Sequence, residues 1–333
     1  MSFADDYDYV QELCAQPGVT DVLINGPNSL WVDQGGGLKK LELPAGILDS
    51  QLKVRQFAFQ IAIEADERLD EAQPIVDCKL PSGIRFHAII YPLVQSGAVI
   101  SLRVPSRVDL NYNQLLETGS IPAHLRDWFP ALVQRRSTIL ITGATGSGKT
   151  TFLKALIDLV PANERIICIE EFSEITNLSH PHFVGLSARR KNTEGVGEVT
   201  LETLVKASLR MRPDRIVLGE CRGREIKELL SAFNTGHSGG FSTLHANDVA
   251  SVSSRLLALG AQADMTPQAI GAQAFSAIDL VLQMHNVQGR RYLAQVGVPQ
   301  FSDQQLSIRT IMTHLAGQKI QYTPEMLELL QKI

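Results

Sequence analysis

One glycine-rich segment, Gly143–Thr150, has the sequence GATGSGKT and matches the pattern G-x-x-x-x-G-K-[ST]. Glycines leave no Cβ between backbone and ligand, so consecutive N–H groups can converge on phosphate oxygens at a helix N-terminus. In such a loop the lysine reaches the β- and γ-phosphates, and the Ser/Thr hydroxyl binds Mg²⁺. The segment therefore predicts a nucleoside triphosphate site. We expect contacts from Gly143, Ala144, Thr145, Gly146, Ser147, Gly148, Lys149, Thr150 and Thr151.

The flanking sequence supports this interpretation. The apolar run Ser137–Thr142 precedes the glycines and predicts a buried strand, and Lys149–Leu156 has the pattern of a helix. The alternative is a glycine-rich turn that arises by chance. A strand, a turn and a helix in this order argue against it, because the phosphate site requires all three.

Two further apolar runs end in carboxylates. The first is Ile167–Ile175, which suits a strand end that faces a metal–phosphate centre, although a charged turn is the alternative. In the second, Arg212–Glu220, a carboxylate at the strand end can order Mg²⁺ or polarise an attacking water. A capping glutamate is the alternative there. The candidate Mg²⁺ ligands are Thr150, Glu170 and Glu171, and the other acids singled out are Glu174 and Glu220.

The segment Thr235–Asp248 carries two histidines, His237 and His245, with glycines between them. Their spacing does not match the H-x₃₋₅-H spacing of a zinc pair. Either histidine alone could be a core or loop residue.

Six basic residues flank the Glu220 strand. We weighed three interpretations of them: phosphate or interface contacts, a solvated face, and a nucleic-acid track. Acids interleave with these residues, and no aromatic side chain for base stacking lies between Glu194 and Phe233, which argues against nucleic acid. The residues are Lys206, Arg210, Arg212, Arg215, Arg222 and Arg224.

The composition of the chain argues against several classes of protein. The chain has 333 residues, 44% of them hydrophobic, and a formal net charge of −4. This charge gives no general attraction to nucleic acid or to anionic membranes, so no direct nucleic-acid contact is expected. The sequence has no apolar stretch long enough for a transmembrane segment and no signal peptide. Its four scattered cysteines indicate reduced thiols and a cytoplasmic location.

The apolar runs and the turn residues between them predict two domains. Residues 1–104 contain short β-rich runs, with a helix over Gln51–Ala65, and predict an α+β domain. Residues 105–118, rich in Pro, Ser and Asn at their start, read as a linker. Residues 119–333 alternate strand and helix and predict an α/β domain with a mainly parallel sheet, covered on both faces. In its tail, Val252–Met284 and Gln321–Ile333 are expected to be helical.

These segments together resemble the secretion-superfamily ATPases of type II and type IV secretion and of type IV pili. Gly143–Thr150 matches their Walker A motif, and Ile169–Ile175 resembles their Asp box. Arg212–Glu220 is similar to their atypical Walker B motif, and Thr235–Asp248 to their His box. Glu171 stands where the Asp box usually has an aspartate. The segments Asp21–Pro27, Gly83–Ala88 and Ser101–Arg103 resemble their N-terminal, PAS-like domain.

Within the superfamily, Asn192–Thr200 and Ala207–Arg222 resemble the tight-adherence (Tad/Flp, type IVc) pilus motor. The eight-residue separation of the two histidines resembles that branch and the conjugation-type ATPases. The tetracysteine zinc module of many assembly motors is lacking. The chain resembles a short form of the tight-adherence motor, and a conjugation or DNA-uptake ATPase is the alternative.

The resemblance implies a RecA-like ATPase domain with a smaller N-terminal domain. It also implies a homohexamer that binds ATP and Mg²⁺ and works on an inner-membrane platform protein from the cytoplasmic face. Glu220 and Glu174 would position the attacking water, and His245, supported by His237, would sense the γ-phosphate. Further phosphate contacts would come from Arg85 and Arg103 and, as weaker candidates, from Arg210 and Arg212. Alternatively, Arg85 and Arg103 each pair with a nearby acid such as Asp77 or Glu64.

Overall fold

The computed structural model describes residues 3–105, 110–175, 178–189, 191 and 196–331. The chain divides into two compact units, residues 1–108 and residues 109–333. No helix in the described residues is long and apolar enough to cross a membrane.

The first unit is built on a six-stranded sheet in the order β3-β2-β1-β6-β5-β4, in which all neighbours are antiparallel. Buried and half-exposed residues alternate along β5, so one face of that strand packs against the core while the other remains accessible. The helix predicted over 51–65 is confirmed and starts at the cap Ser50. The elements are α1 (Phe3–Ala15), β1 (Asp21–Ile24), β2 (Leu30–Asp33), β3 (Leu38–Leu41), α2 (Gln51–Glu64), β4 (Ile75–Lys79), β5 (Arg85–Ile90) and β6 (Ala98–Arg103).

The second unit is built on a nine-stranded sheet in the order β15-β14-β13-β12-β7-β11-β10-β8-β9. The strands from β12 to β9 in this order are parallel, and β13 to β15 extend the sheet in antiparallel fashion. The elements are α3 (Tyr112–Glu117), α4 (Trp128–Gln134), β7 (Ile139–Gly143), α5 (Lys149–Ile157), β8 (Ile166–Glu170), β9 (Phe183–Ser187), α6 (Leu201–Ser208), β10 (Arg215–Leu218), α7 (Glu225–Asn234), β11 (Phe241–Leu244), α8 (Val252–Gln262), α9 (Pro267–Ala277), β12 (Leu280–Val287), β13 (Arg290–Ser302), β14 (Gln305–Thr313), β15 (Gln321–Tyr322) and α10 (Pro324–Gln331).

Both faces of this sheet are covered, as predicted. Along β7, Ile139 and Ile141 enter one apolar core together with Phe152 of α5, whereas Leu140 enters a second core with residues of α7. A central strand that is buried on both faces explains the unbroken apolar run in the sequence.

The structure corrects the predicted helix over 252–284. Helices α8 and α9 occupy most of that range, but Leu280–Val287 forms strand β12 and starts a long antiparallel hairpin with β13. The pattern misled because a short apolar run does not distinguish a buried strand from a buried helix.

The predicted linker, 105–118, also differs from the structure in part. Residues 106–109 lie outside the described residues, but Tyr112–Glu117 forms helix α3. Its residues Tyr112, Leu115 and Leu116 are buried in the core of the second unit, so this part of the predicted linker belongs to that unit.

A buried arginine joins three segments at the amino-terminal edge of the large sheet. Arg215 is fully buried at the start of β10, and its Nε donates to Glu164 Oε2 at 2.5 Å. Its two terminal nitrogens donate to the carbonyl oxygens of Gly239, at 3.0 Å, and Val133, at 2.7 Å. Arg215 is therefore a structural residue, and the interpretation of it as a phosphate or interface contact is wrong.

We expect the Arg215→Ala substitution to lower the free energy of unfolding by about 3–5 kcal/mol, because it leaves two carbonyl groups without their donors and leaves Glu164 with Arg136 alone, 3.4 Å away. Urea denaturation followed by circular dichroism would measure this change. The exposed Arg210 provides a matched control, and Arg210→Ala should change stability by less than about 0.5 kcal/mol. Equal stabilities of the two variants would contradict the structural role.

Candidate nucleotide site

The segment Gly143–Thr150 forms a loop between the end of β7 and the start of α5, as predicted. Gly143, Gly146 and Gly148 have φ values of 148°, 73° and 95°. A Cβ at position 143 would collide with Ser147 Oγ and with the carbonyl oxygen of Met284. Glycine is therefore required for this compact turn, which presents backbone N–H groups at the N-terminus of a helix.

Lys149 folds back over its own loop. Its Nζ donates to the carbonyl oxygens of Gly143, at 3.0 Å, and Ala144, at 2.9 Å, and the residue is buried. Burial lowers the pKa of Lys149 to about 8; the negative charge of Glu220 opposes this shift and the positive charge of Arg222 adds to it. A buried ammonium group held only by neutral carbonyls is suited to accept an anion.

The same loop contains a buried polar atom without a partner, the Oγ of Ser147. Buried hydroxyl groups are normally hydrogen-bonded, and an exception calls for an explanation. A triphosphate supplies acceptor oxygens for this hydroxyl, for Lys149 and for the loop amides, so the residues present fit a nucleotide. Thr150, the first-turn residue after Lys149, is the hydroxyl suited to a nucleotide-bound Mg²⁺.

Two side chains from the β12–β13 hairpin hold the outer side of the loop. Asn286 Nδ2 and Arg291 Nε donate to the carbonyl oxygen of Gly146 at 3.2 Å and 3.0 Å. The sequence predicts neither contact, because the predicted helix ends at Met284 and no element is assigned to Asn286 or Arg291. The run LVLQM at 280–284, whose lone glutamine interrupts an otherwise apolar stretch, is the available signal for a strand that leads into this hairpin.

The predicted Asp box lies at the carboxyl end of β8, on the same edge of the sheet as the phosphate loop and separated from β7 by two strands. The carboxylate of Glu170 is buried and accepts from the backbone N–H groups of Glu174 and Ile175 at 3.1 Å. Glu170 therefore orders the turn that carries Glu174. Glu171 Oε2 accepts from Arg222 Nη1 at 3.3 Å. Both predicted glutamate ligands of Mg²⁺ are thus engaged with protein groups, and this arrangement favours Thr150 over them as the Mg²⁺ ligand.

Glu220 follows strand β10 and contacts two predicted site residues. Its Oε2 accepts from Arg222 Nη2 at 2.6 Å, and its Oε1 lies 3.0 Å from His245 Nε2. Burial, and next the charge of Lys149, lower the pKa of His245, while Glu220 opposes the shift. The imidazole is therefore neutral at neutral pH. The ends of β7, β10 and β11 bring Lys149, Glu220 and His245 to one edge of the sheet.

Two predicted nucleotide contacts lie elsewhere. His237 precedes β11, and Arg210 follows α6 and precedes β10, so both lie toward the amino-terminal edge of the sheet. The phosphate loop lies at the carboxyl edge. The strands thus separate His237 and Arg210 from the phosphate loop of their own subunit, and the roles predicted for them at the nucleotide stay predictions.

In the first unit, Arg85 and Arg103 are direct neighbours across β5 and β6. Arg103 Nε donates to Asp21 Oδ1 at 3.0 Å, and Asp21 is its partner across β1 and β6. Asp21 was not among the acids expected to pair with these arginines, which were Asp77 and Glu64. Arg103 is more than half exposed, so this pair leaves its terminal nitrogens accessible.

Comparisons with known proteins identify the family. A putative conjugal transfer protein of Mycobacterium tuberculosis is 40% identical over 296 residues, which cover 87% of this chain and 83% of the relative. The protein VirB11 of Agrobacterium fabrum is 34% identical over 271 residues, with 72% and 76% covered. The sequence profile of the type II/IV secretion system protein family matches residues 4–315. The chain belongs to this family. With its complete phosphate loop, it is an ATPase of the secretion and pilus class, as the sequence predicted.

Solved structures of this class share the fold. DotB of Legionella pneumophila gives a TM-score of 0.62 at 22% identity, with 86% of this chain and 78% of that chain covered. The pilus retraction motor PilT with bound ADP also gives 0.62, at 19% identity, with 97% and 85% covered. The RecA-like α/β fold class is thereby confirmed. The closer resemblance to the tight-adherence branch remains a prediction.

The buried ammonium group of Lys149 makes nucleotide binding depend on pH. In the free protein its pKa is about 8, and a bound triphosphate should raise that pKa because it stabilises the charged form. ATP binding should therefore take up a proton at about pH 8.5, and the affinity for ATP should fall as the pH rises through this region. Calorimetric titration in buffers with different ionisation enthalpies measures the uptake.

The uptake should disappear toward about pH 7, where the free ammonium is already protonated. Lys154→Ala, which removes a lysine from the same helix, should retain it. Binding without proton uptake at the higher pH would contradict the assignment of the low pKa to a phosphate-binding lysine.

Proposed function

We propose that the protein is a homohexameric motor ATPase that powers the assembly or retraction of a tight-adherence type IV pilus, or of a closely related secretion machine. The observation that carries the proposal is the arrangement of Lys149, Glu220 and His245 at one sheet edge, with 3.0 Å between His245 Nε2 and Glu220 Oε1. A phosphate-binding cation, a water-activating carboxylate and a phosphate-sensing imidazole are the groups that phosphoryl transfer to water needs.

The chemistry is divided among these residues. The loop amides and Lys149 bind the β- and γ-phosphates and stabilise charge on the phosphoryl oxygens in the transition state. Glu220 orients the attacking water, and Arg222, bonded to Glu220 Oε2 at 2.6 Å, fixes the rotamer of its carboxylate. Neutral His245 donates a hydrogen bond toward the γ-phosphate side of the site. The Thr150 hydroxyl would hold Mg²⁺, which would supply positive charge beside the phosphates.

Glu174 is a second candidate for positioning the water, because the Glu170 carboxylate orders its backbone. In the first unit, Arg85 and Arg103 are the candidate contacts to the γ-phosphate. Two arginines directly opposite each other repel unless an anion lies between or beside them. Asp21 offsets part of the charge of Arg103, and a triphosphate would offset more.

Mechanical work would follow from differential binding. A triphosphate that also contacts Arg85 and Arg103 would favour a different conformation of the chain from the one that a diphosphate favours. Hydrolysis would then release the triphosphate-bound conformation. Six subunits would pass this motion to a platform protein in the inner membrane, at its cytoplasmic face.

A second candidate function is ATP-driven DNA transfer. It is supported by the relative that is 40% identical and described as a putative conjugal transfer protein, and by the similarity to VirB11. The net charge of −4 argues against direct DNA contact by this chain. In this alternative the motor would act on a transfer machine through protein partners.

The decisive experiment replaces the chromosomal gene in the source bacterium with the Lys149→Ala variant. We expect loss of surface pili, with the protein still present at normal level, because the variant lacks the charge that binds the phosphates. DNA transfer between cells is measured in the same strains. The matched control is Lys154→Ala, a lysine of the same helix, which should leave piliation unchanged.

Normal piliation together with lost DNA transfer would replace the pilus function by the second candidate. If the Lys149→Ala strain is normal in both assays, the motor function itself is contradicted. Native mass spectrometry of the purified protein with a non-hydrolysable ATP analogue tests the hexamer in parallel. A strictly monomeric species at micromolar concentration would argue against a ring.

A further inference from the structure

A single amide side chain, that of Gln283, lies fully buried in strand β12, whose neighbours in sequence are apolar. In the sheet, Gln283 is the register partner of Thr142 on β7, and Thr142 is the partner of Leu244 on β11. These three residues form one row across the carboxyl edge of the sheet. The phosphate loop begins directly after Thr142, and His245 follows Leu244.

Both the Nε2 and the Oε1 of the Gln283 amide are engaged in hydrogen bonds. Its Nε2 donates to the carbonyl oxygens of Asn247, at 2.9 Å, and Ala246, at 3.2 Å. Its Oε1 accepts from the hydroxyl of Thr142. A buried amide is stabilising only when it is satisfied in this way, so the contacts fix both the side chain and the groups it holds.

The two carbonyl groups belong to the residues immediately after His245. A second glutamine acts on the same loop, because Gln295 Oε1 on β13 accepts from the backbone N–H of Val249 at 3.1 Å. The loop that carries His245 is therefore held by the hairpin on the far side of the phosphate-loop strand. Gln283 connects the start of the phosphate loop, through Thr142, with the backbone that places the imidazole beside Glu220.

We propose that Gln283 is a positioning residue that sets the distance of His245 from the nucleotide phosphates. The proposal rests on the role of His245 given under the proposed function. Gln283 does not contact nucleotide; it acts through the Ala246–Asn247 backbone. A displacement of about 1 Å in a catalytic group can cost up to roughly a hundredfold in rate. The hydrogen bonds of the Gln283 amide to the Ala246 and Asn247 carbonyl groups therefore control the rate of turnover.

The test is a double-mutant cycle on the full-length protein. Gln283→Met keeps the length of the side chain and removes every hydrogen bond. It should lower kcat for ATP by about ten- to a hundredfold. His245→Ala should lower kcat as well, and the double variant should match His245→Ala within about twofold, because residues that act through one another are not additive. The proposal would be overturned if the reduction in kcat of the double variant equalled the product of the two single reductions. It would also be overturned if Gln283→Met turned over ATP at the wild-type rate.

A second measurement separates positioning from loss of structure. Gln283→Met should weaken binding of a non-hydrolysable ATP analogue while leaving ADP affinity unchanged, as should His245→Ala, because only the triphosphate has the γ-phosphate. Equal weakening of both ligands would show a general effect on the loop and would contradict the proposal.

The matched control is Thr138→Val, which removes a buried hydrogen bond from Gly239 N–H, 3.1 Å long, at the amino-terminal end of the neighbouring strand β7. It should lower the melting temperature and leave kcat unchanged. If Thr138→Val lowers kcat as much as Gln283→Met does, the loss of kcat in Gln283→Met is due to general destabilisation and the proposal is wrong. If the wild-type protein hydrolyses no ATP, the proposed function is wrong instead.

Discussion

The site depends on one electrostatic constraint, the buried ammonium group of Lys149. It lies on two loop carbonyls, at 3.0 Å and 2.9 Å, and burial lowers its pKa to about 8. Water is largely excluded there, and the nearby charges are those of Glu220 and Arg222. An anion that displaces the two carbonyl oxygens would give the ammonium group a partner of opposite charge. The glycines of the loop, which allow the chain to turn so closely, make that exchange possible.

The parallel sheet brings the other groups to this charge. Strands β7, β8, β10 and β11 end at the same edge, so residues far apart in sequence meet there without long loops. At the opposite edge of the sheet, the buried Arg215 joins three segments and stabilises the domain. The antiparallel hairpin from β12 then reaches the loops on the catalytic edge through Gln283, Asn286 and Arg291. The candidate catalytic residues thus lie at the carboxyl ends of the strands, whereas Arg215, which stabilises the domain, lies at an amino-terminal end.

Much of this organisation could be predicted from the sequence, and the failures have physical reasons. The phosphate loop, the parallel strands and the convergence of Lys149, Glu220 and His245 follow from apolar runs that end in glycines, acids and histidine. The place of His237 and Arg210 at the other edge of the sheet could not be predicted, because a motif gives the order of residues along the chain but not the end of the strand on which each lies. The hairpin contacts were missed because they depend on pairing across more than 100 residues, as between Gly146 and Arg291.

The most direct test of the account is Glu220→Gln, measured for both ATP binding and ATP hydrolysis. The amide keeps the size of the side chain and its place beside Arg222 and His245, but it lacks the charge that polarises water. The account predicts that ATP binding, measured by calorimetry, is retained, while turnover falls by roughly a hundredfold or more. Turnover at the wild-type rate, or a loss of binding with unchanged turnover per bound ATP, would contradict it.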